Sequence, residues 1–124
     1  VMGWSLYPLS VNLARRSGTV ATQSSTCWGG GPNRGTDGNR NGNWGGNSVT
    51  HTCGGSIPWW KVDLGADQQF VITSVSVYNR SDGCCQDRNG NSNVEILDVD
   101  GNVLASQLIP GGDTSASWAF QFDS

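Results

Sequence analysis

Between Trp28 and Gly55 the chain shows neither a helical nor a strand period, and glycine and asparagine dominate the run. A stretch this long without periodicity inside a compact domain is either functional or disordered. Trp28 and Trp44, which lie within it, argue against disorder. The rest of the chain agrees with this loop-rich picture. Its 18 glycines, with many Asn, Ser and Thr residues, supply the positive backbone angles that sharp reversals need and leave little helix-forming material.

The segments that do carry a pattern are short and β-branched or aromatic: Trp60 to Leu64, Phe70 to Tyr78, Val94 to Val99, Val103 to Ile109 and Trp118 to Phe122. In the second of these Val71, Thr73, Val75 and Val77 share one face, as a half-buried strand with a period of two requires. Trp118, Phe120 and Phe122 repeat the alternation. Asp100-Gly101-Asn102 reads as a hairpin turn and Pro110-Gly111-Gly112-Asp113 as a loop. Short strands with turns at this spacing predict an all-β sandwich or barrel.

At 124 residues the chain is sized for one domain, residues 1–124. A formal net charge of -3, with 14% charged residues, lacks the basic footprint that nucleic acid or an anionic membrane surface requires. No run approaches the roughly 18 apolar residues of a membrane span. Val1 to Ser10 has no basic leader, so the sequence is read as a mature form or as one exported by another route.

Four cysteines, Cys27, Cys53, Cys84 and Cys85, allow three pairings. A bridge between the adjacent pair is unusual, because neighbouring Cα atoms lie about 3.8 Å apart, below the roughly 4.4–6.8 Å of ordinary disulfides. The alternative joins Cys84 and Cys85 separately to Cys27 and Cys53. A zinc site of His51 with Cys53, Cys84 and Cys85 is disfavoured, since structural zinc sites space their cysteines by two to four residues. Oxidised cysteines in a small Gly-rich domain suit an extracellular protein, whether secreted, on the cell surface or virion-borne.

His51 is the single histidine, and the run from Arg80 to Arg88 packs two arginines, two acids and the cysteine pair into a loop after a strand. Sugars are neutral and densely hydroxylated. They are held by guanidinium forks, by imidazole and by flat apolar surfaces under their C–H faces. This loop offers all of these groups.

At this point the sequence resembles the F-type lectins, the fucolectin branch of the discoidin-like galactose-binding fold. The resemblance is carried by Ala21 to Thr26, Asp37-Gly38-Asn39-Arg40, Ser48 to Thr52, Trp59-Trp60-Lys61-Val62-Asp63-Leu64-Gly65 and Tyr78 to Asp82, in the family's order. The Trp-Trp-x-Val-Asp-Leu-Gly part is shared with the wider discoidin group. The more specific part is one histidine, then Arg-x-Asp, then a second basic residue, with adjacent cysteines between. The resemblance implies a jelly-roll-like β-sandwich that binds L-fucose on fucosylated glycans without catalysis.

Carried over by position, His51, Arg80 and Arg88 contact the sugar, and Asp82 holds an arginine in its working orientation. The resemblance also implies a Cys84–Cys85 bridge as a rigid apolar edge against the sugar ring, which leaves Cys27 with Cys53 as the second pair. Trp44 or Trp28 is expected to wall the pocket for the deoxy methyl group. Calcium is implied on the loop from Arg34 to Ser48, held by the Asp37 carboxylate, the Ser48 hydroxyl and backbone carbonyls at Arg34, Asn39 and Ser48, a hard oxygen set that suits this ion.

Two departures from the family pattern stand out. Gly83 reads as an insertion that bulges the loop between Asp82 and Cys84 while leaving Arg88 in place. Family members also run on past the equivalent of Trp118 to Phe122 for two more strands, one of which supplies a carboxylate to the calcium. Here Val1 to Ser10, with Trp4, Leu6 and Pro8 alternating, is expected to supply an edge strand instead.

An enzyme is disfavoured, because His51 has no motif-marked serine or cysteine nucleophile and the acids are scattered at turns and strand ends. The rival reading is a discoidin-like adhesion module for another sugar, a protein or a lipid, which calls for exposed apolar spikes and basic rims instead of a His-Arg-Asp-Arg set. One sugar site per small domain binds weakly, so adhesion predicts a homo-oligomer or a module of a larger fibre in which avidity does the rest. Asn79-Arg80-Ser81 is formally a glycosylation sequon, yet a glycan there would occupy the proposed site.

Overall fold

The computed structural model describes residues 11–122 except Ser56 and Gln68. The edge strand expected of Val1 to Ser10 lies outside the described residues. Six short strands are present: β1 (Val20–Gln23), β2 (Trp60–Asp63), β3 (Ser74–Tyr78), β4 (Asn93–Leu97), β5 (Val103–Leu108) and β6 (Ser117–Gln121). They pair antiparallel as β1 with β2, β3 with β6 and β4 with β5. The described helix is confined to 3₁₀ turns at Leu13–Arg15, Pro32–Gly35 and Trp44–Gly46.

The core sits where the period-two faces meet. Val75 lies opposite Phe120 and Val77 opposite Trp118 across β3 and β6. Trp118, Phe120, Phe122 and Ile109 are buried, and Val94, Ile96 and Ala105 from the β4–β5 pair pack against them. Two pairs of strands thus face each other in a sandwich, each contributing alternate side chains to one apolar layer.

The alternation reaches further along the sequence than the strand does. Val71 is 72% exposed, and Thr73 is also exposed. Pairing of β3 begins at Ser74, opposite Gln121. A strand persists only where a neighbour takes its backbone groups, and beyond β6 the last such contact is Phe122 N–H donating to the Thr73 carbonyl at 2.9 Å. The Val94 to Val99 segment is likewise shortened. Asp98 turns the chain, its carboxylate accepting from Asp100 N–H at 2.9 Å and from Asn102 N–H and Nδ2 at 2.8 and 3.0 Å. Gly101 in that turn has φ +88°, which closes the hairpin where the sequence placed it.

Strand β1 has no apolar alternation to announce it and exists through its partner, with Ala21 opposite Val62. The β1–β2 pair anchors the start of the glycine-rich loop, where Trp60 Nε1 donates to the Pro32 carbonyl at 3.0 Å.

Candidate functional site

β3 delivers the site loop from the core. It ends at Tyr78, and the next residue, Asn79, is 5% exposed. A buried amide must be fully bonded, and this one is. Its Nδ2 donates to the carbonyls of Gln86 and Ser115 at 2.8 and 2.9 Å, while Oδ1 accepts from Arg80 N–H at 2.9 Å and Asn89 Nδ2 at 3.2 Å. Asn79 therefore ties both ends of the loop to the strand. The amide nitrogen that a sequon would glycosylate is spent on these bonds. Sequence reading placed the residue in the Tyr78 to Asp82 segment and in a sequon but gave it no structural role; its position directly after an alternating strand was the available signal.

Arg80 follows, and Asp82 grips it through a two-point ion pair, Nε to Oδ1 at 2.7 Å and Nη2 to Oδ2 at 3.1 Å. Asp82 Oδ2 also accepts from Trp44 N–H at 3.0 Å. The guanidinium first, and then this backbone donor, hold the Asp82 carboxyl down to about 2. The same pairing raises Arg80 above its ordinary value. One carboxylate thus fixes both an arginine and a tryptophan, and the Arg80 guanidinium carbon lies 5.1 Å from the Trp44 ring centroid.

His51 comes in from the glycine-rich loop. Its N–H donates to the Gly30 carbonyl at 2.8 Å, and its own carbonyl accepts from Cys27 N–H at 3.1 Å. Gly30 is required here, since a Cβ would lie 2.7 Å from the His51 backbone nitrogen and Cβ. The imidazole meets Trp44 edge-on, with ring centroids 5.6 Å apart. Arg88 Nη1 lies 3.3 Å from His51 Nε2. A guanidinium can only donate, so Nε2 is the acceptor of this contact.

These residues converge on one cleft of about 250 Å³, lined by Trp28, Trp44, His51, Arg80, Cys84, Cys85 and Arg88. Asp82 stands behind Arg80. Cys84 and Cys85 are bridged to each other, and Cys27 is bridged to Cys53. Gly83 sits at φ +85° with open space around it, and Arg88 still reaches the cleft. The two candidate tryptophans are unlike: Trp44 is half-buried among Arg34, Arg80 and His51, whereas Trp28 stands at the rim, 83% exposed. Neither Arg80 Nη1 nor Arg88 Nη2 has a hydrogen-bond partner among the described residues. The cleft therefore presents unspent guanidinium donors, an imidazole and apolar walls.

Behind the cleft, residues Asp37, Asn39, Asn41 and Asn43 form a ladder in which each Oδ1 accepts the N–H two residues on, at 2.8–3.0 Å. Sequence reading missed this ladder, although an Asx residue at every second position was visible. Ser48 Oγ lies against the Asn41 carbonyl. The carbonyls of Arg34, Asn39 and Ser48 accept no hydrogen bond from the described residues. Among these residues no three His, Cys, Asp or Glu side chains gather to hold a metal. A cation here would rest on carbonyl and hydroxyl oxygens with one carboxylate, which is a calcium-type donor set.

The ladder is joined to the site at Gly42, whose carbonyl accepts Ser81 N–H at 2.8 Å. A Cβ on Gly42 would lie 2.8 Å from the Asn79 carbonyl oxygen and 2.9 Å from Ser81 Cβ. Only glycine lets the two loops touch.

Comparison with known proteins accords with this geometry. A family described as a NedA-like, galactose-binding domain matches residues 34–118. A fucolectin of Anguilla anguilla is 40% identical over 79 residues, 64% of this chain and 46% of the relative. The chain spans between 26% and 49% of the length of the curated relatives it matches. The lectin domain of lectinolysin, solved with Lewis B antigen, superposes with a TM-score of 0.83 at 36% identity, covering 92% of this chain and 78% of that one. A fucose binding module of Streptococcus pneumoniae superposes at 0.79 with 37% identity, covering 90% and 75%. These relatives are lectins and binding modules, and lectins do not turn over their ligands. The chain is a β-sandwich domain that belongs to the F-type lectin, or fucolectin, family of galactose-binding-like domains.

Proposed function

We propose that this domain binds L-fucose on fucosylated glycans in the cleft between His51 and the Arg80–Arg88 loop. One observation carries the reading: two guanidiniums and an imidazole line a single small cleft, and one of the guanidiniums is held in place by Asp82. L-fucose presents an axial hydroxyl beside an equatorial one. Unspent donors on Arg80 and Arg88 can satisfy the lone pairs of that pair, and His51 supplies a further polar contact. The ion pair with Asp82 fixes the Arg80 fork beforehand, so less side-chain freedom is lost on binding. Trp44 and the Cys84–Cys85 edge supply the apolar surface for the ring and its methyl group. Titration calorimetry with L-fucose tests this directly. Saturable heat with a dissociation constant between roughly micromolar and millimolar is expected, and no heat would turn the reading toward another ligand on the same scaffold.

The Arg34–Ser48 loop, in this reading, holds a structural calcium through Asp37, Ser48 and the free carbonyls of Arg34, Asn39 and Ser48. The ion would lock the Asx ladder and, through Gly42 and Ser81, the orientation of Arg80. A ligand bound only by the folded state raises its stability by mass action. Chelation is therefore expected to lower the melting temperature by about 5 °C or more and to weaken sugar binding; a melting curve indifferent to chelator removes the calcium from the account.

Two disulfides belong to an oxidising, extracellular setting. No helix among the described residues is long and apolar enough to cross a membrane. A single cleft of this size binds weakly, so we take the functional form to be a homo-oligomer or a module of a longer chain. For the first option, light scattering at high concentration must find more than a monomer.

A further inference from the structure

Trp28 is the most exposed of the aromatic side chains around the cleft, and its position suits a ligand larger than one sugar ring. The cleft, at about 250 Å³, falls below the roughly 300–1,000 Å³ of pockets that enclose drug-sized ligands. It has room for one monosaccharide. The rest of an oligosaccharide must then lie on the rim, where Trp28 stands 83% exposed. An indole left in water at that degree has no packing role in the fold.

The backbone beneath Trp28 is held with unusual firmness for a surface residue. Trp28 has φ +57°, a left-handed conformation that a bulky residue avoids unless its surroundings impose it. The preceding residue, Cys27, is bridged to Cys53. Gly30 N–H closes the turn onto the Cys27 carbonyl at 3.0 Å. Gln23 Nε2 then clamps the segment from below, donating to the Gly30 carbonyl at 2.9 Å and to the His51 carbonyl at 3.3 Å. The turn that carries Trp28 and the residue that carries the imidazole are therefore one rigid unit. Such rigidity reduces the entropy lost when a flat side chain meets a ligand.

We propose that Trp28 is the platform for a second sugar ring, the one to which the fucose is glycosidically linked, stacking its indole against that ring's C–H face. The residue then selects fucosylated oligosaccharides over the free monosaccharide. Trp44, half-buried and flanked by Arg34, Arg80 and His51, serves the first ring only. This inference rests on the cleft being the fucose site.

The test compares L-fucose with a trisaccharide carrying fucose on galactose, titrated into the wild-type protein, Trp28→Ala and Trp28→Phe. The wild type is expected to favour the trisaccharide. Trp28→Ala should weaken the trisaccharide by about three- to ten-fold more than it weakens L-fucose, the range of an aromatic stacking contact. Trp28→Phe should retain part of the preference. Equal loss for both ligands would make Trp28 a wall of the first pocket and overturn the proposal, as would no change for either. A wild type that binds neither sugar would instead bring down the fucose reading on which the proposal stands. Melting curves of both variants, expected near that of the wild type for so exposed a side chain, establish that any loss is local.

Discussion

Replacing Arg80 by alanine is expected to weaken L-fucose binding by roughly 100-fold or more, which for a single weak site means loss of measurable heat. Hydrogen bonds from a charged group contribute about 1.5–3 kcal/mol each, and two such bonds to neighbouring hydroxyls account for a loss of that size. The substitution also leaves Asp82 without its guanidinium, although Trp44 N–H still binds it. Arg80→Lys restores the charge but not the planar fork, and should recover less than a tenth of the lost affinity. If Arg80→Ala binds L-fucose within about threefold of the wild type, the site is elsewhere.

The same pair predicts an acid limit. Asp82 titrates near 2 in the folded domain, below the roughly 3.9 of an unfolded aspartate. A carboxyl depressed by folding contributes its stabilisation fully above the unfolded value and loses it as pH falls through the folded one. The stability that Asp82 contributes should therefore be complete above about 4 and be lost between about 4 and 2, which a pH series of melting temperatures reads against the same series for Asp82→Asn. Asp82→Asn should bind more weakly even at neutral pH, because an amide cannot hold the fork as an ion.

The second large effect is on the fold. Phe120→Ala is expected to cost about 3–5 kcal/mol, the usual range for emptying a buried phenylalanine site. Phe120 is 8% exposed and lies opposite Val75, in the cluster with Ile109, Trp118 and Phe122. That cluster holds most of the buried large apolar side chains among the described residues, so a hole there has few neighbours able to close it. A domain of this size shifts by several degrees for each kcal/mol, and the melting temperature should fall by about 10–20 °C. Phe120 does not line the cleft, so the fraction that remains folded at low temperature should bind L-fucose with wild-type affinity. A change of less than about 2 °C would mean that the core is not where the structure places it.

Much of the site could be read from the chain because its chemistry is concentrated. His51, Arg80, Asp82, Cys84, Cys85 and Arg88 are distinctive residue types at distinctive spacing, and the structure brings all of them to one cleft or, for Asp82, directly behind it. The supporting residues were harder to find. Asn79, Gln23 and Gly42 are ordinary in a sequence rich in such residues; what sets them apart is burial, a clamp on two carbonyls or a backbone approach that excludes a Cβ. None of these properties has a one-dimensional signature.

The β class, the turn at Gly101 and the alternation of Trp118, Phe120 and Phe122 follow from local preference, because side-chain direction in a strand depends on residue parity alone. Parity does not say how far a strand runs. Only tertiary structure started β3 at Ser74 and left Val71 in solvent, since strand length is decided by the backbone partner across the sheet. Only tertiary structure, too, separated Trp44 from Trp28. The two are alike as letters within one glycine-rich run, but one is flanked by two arginines and a histidine while the other is held at the rim by a disulfide-anchored turn. Burial depends on neighbours distant in sequence, and a loop without a period carries no local record of them.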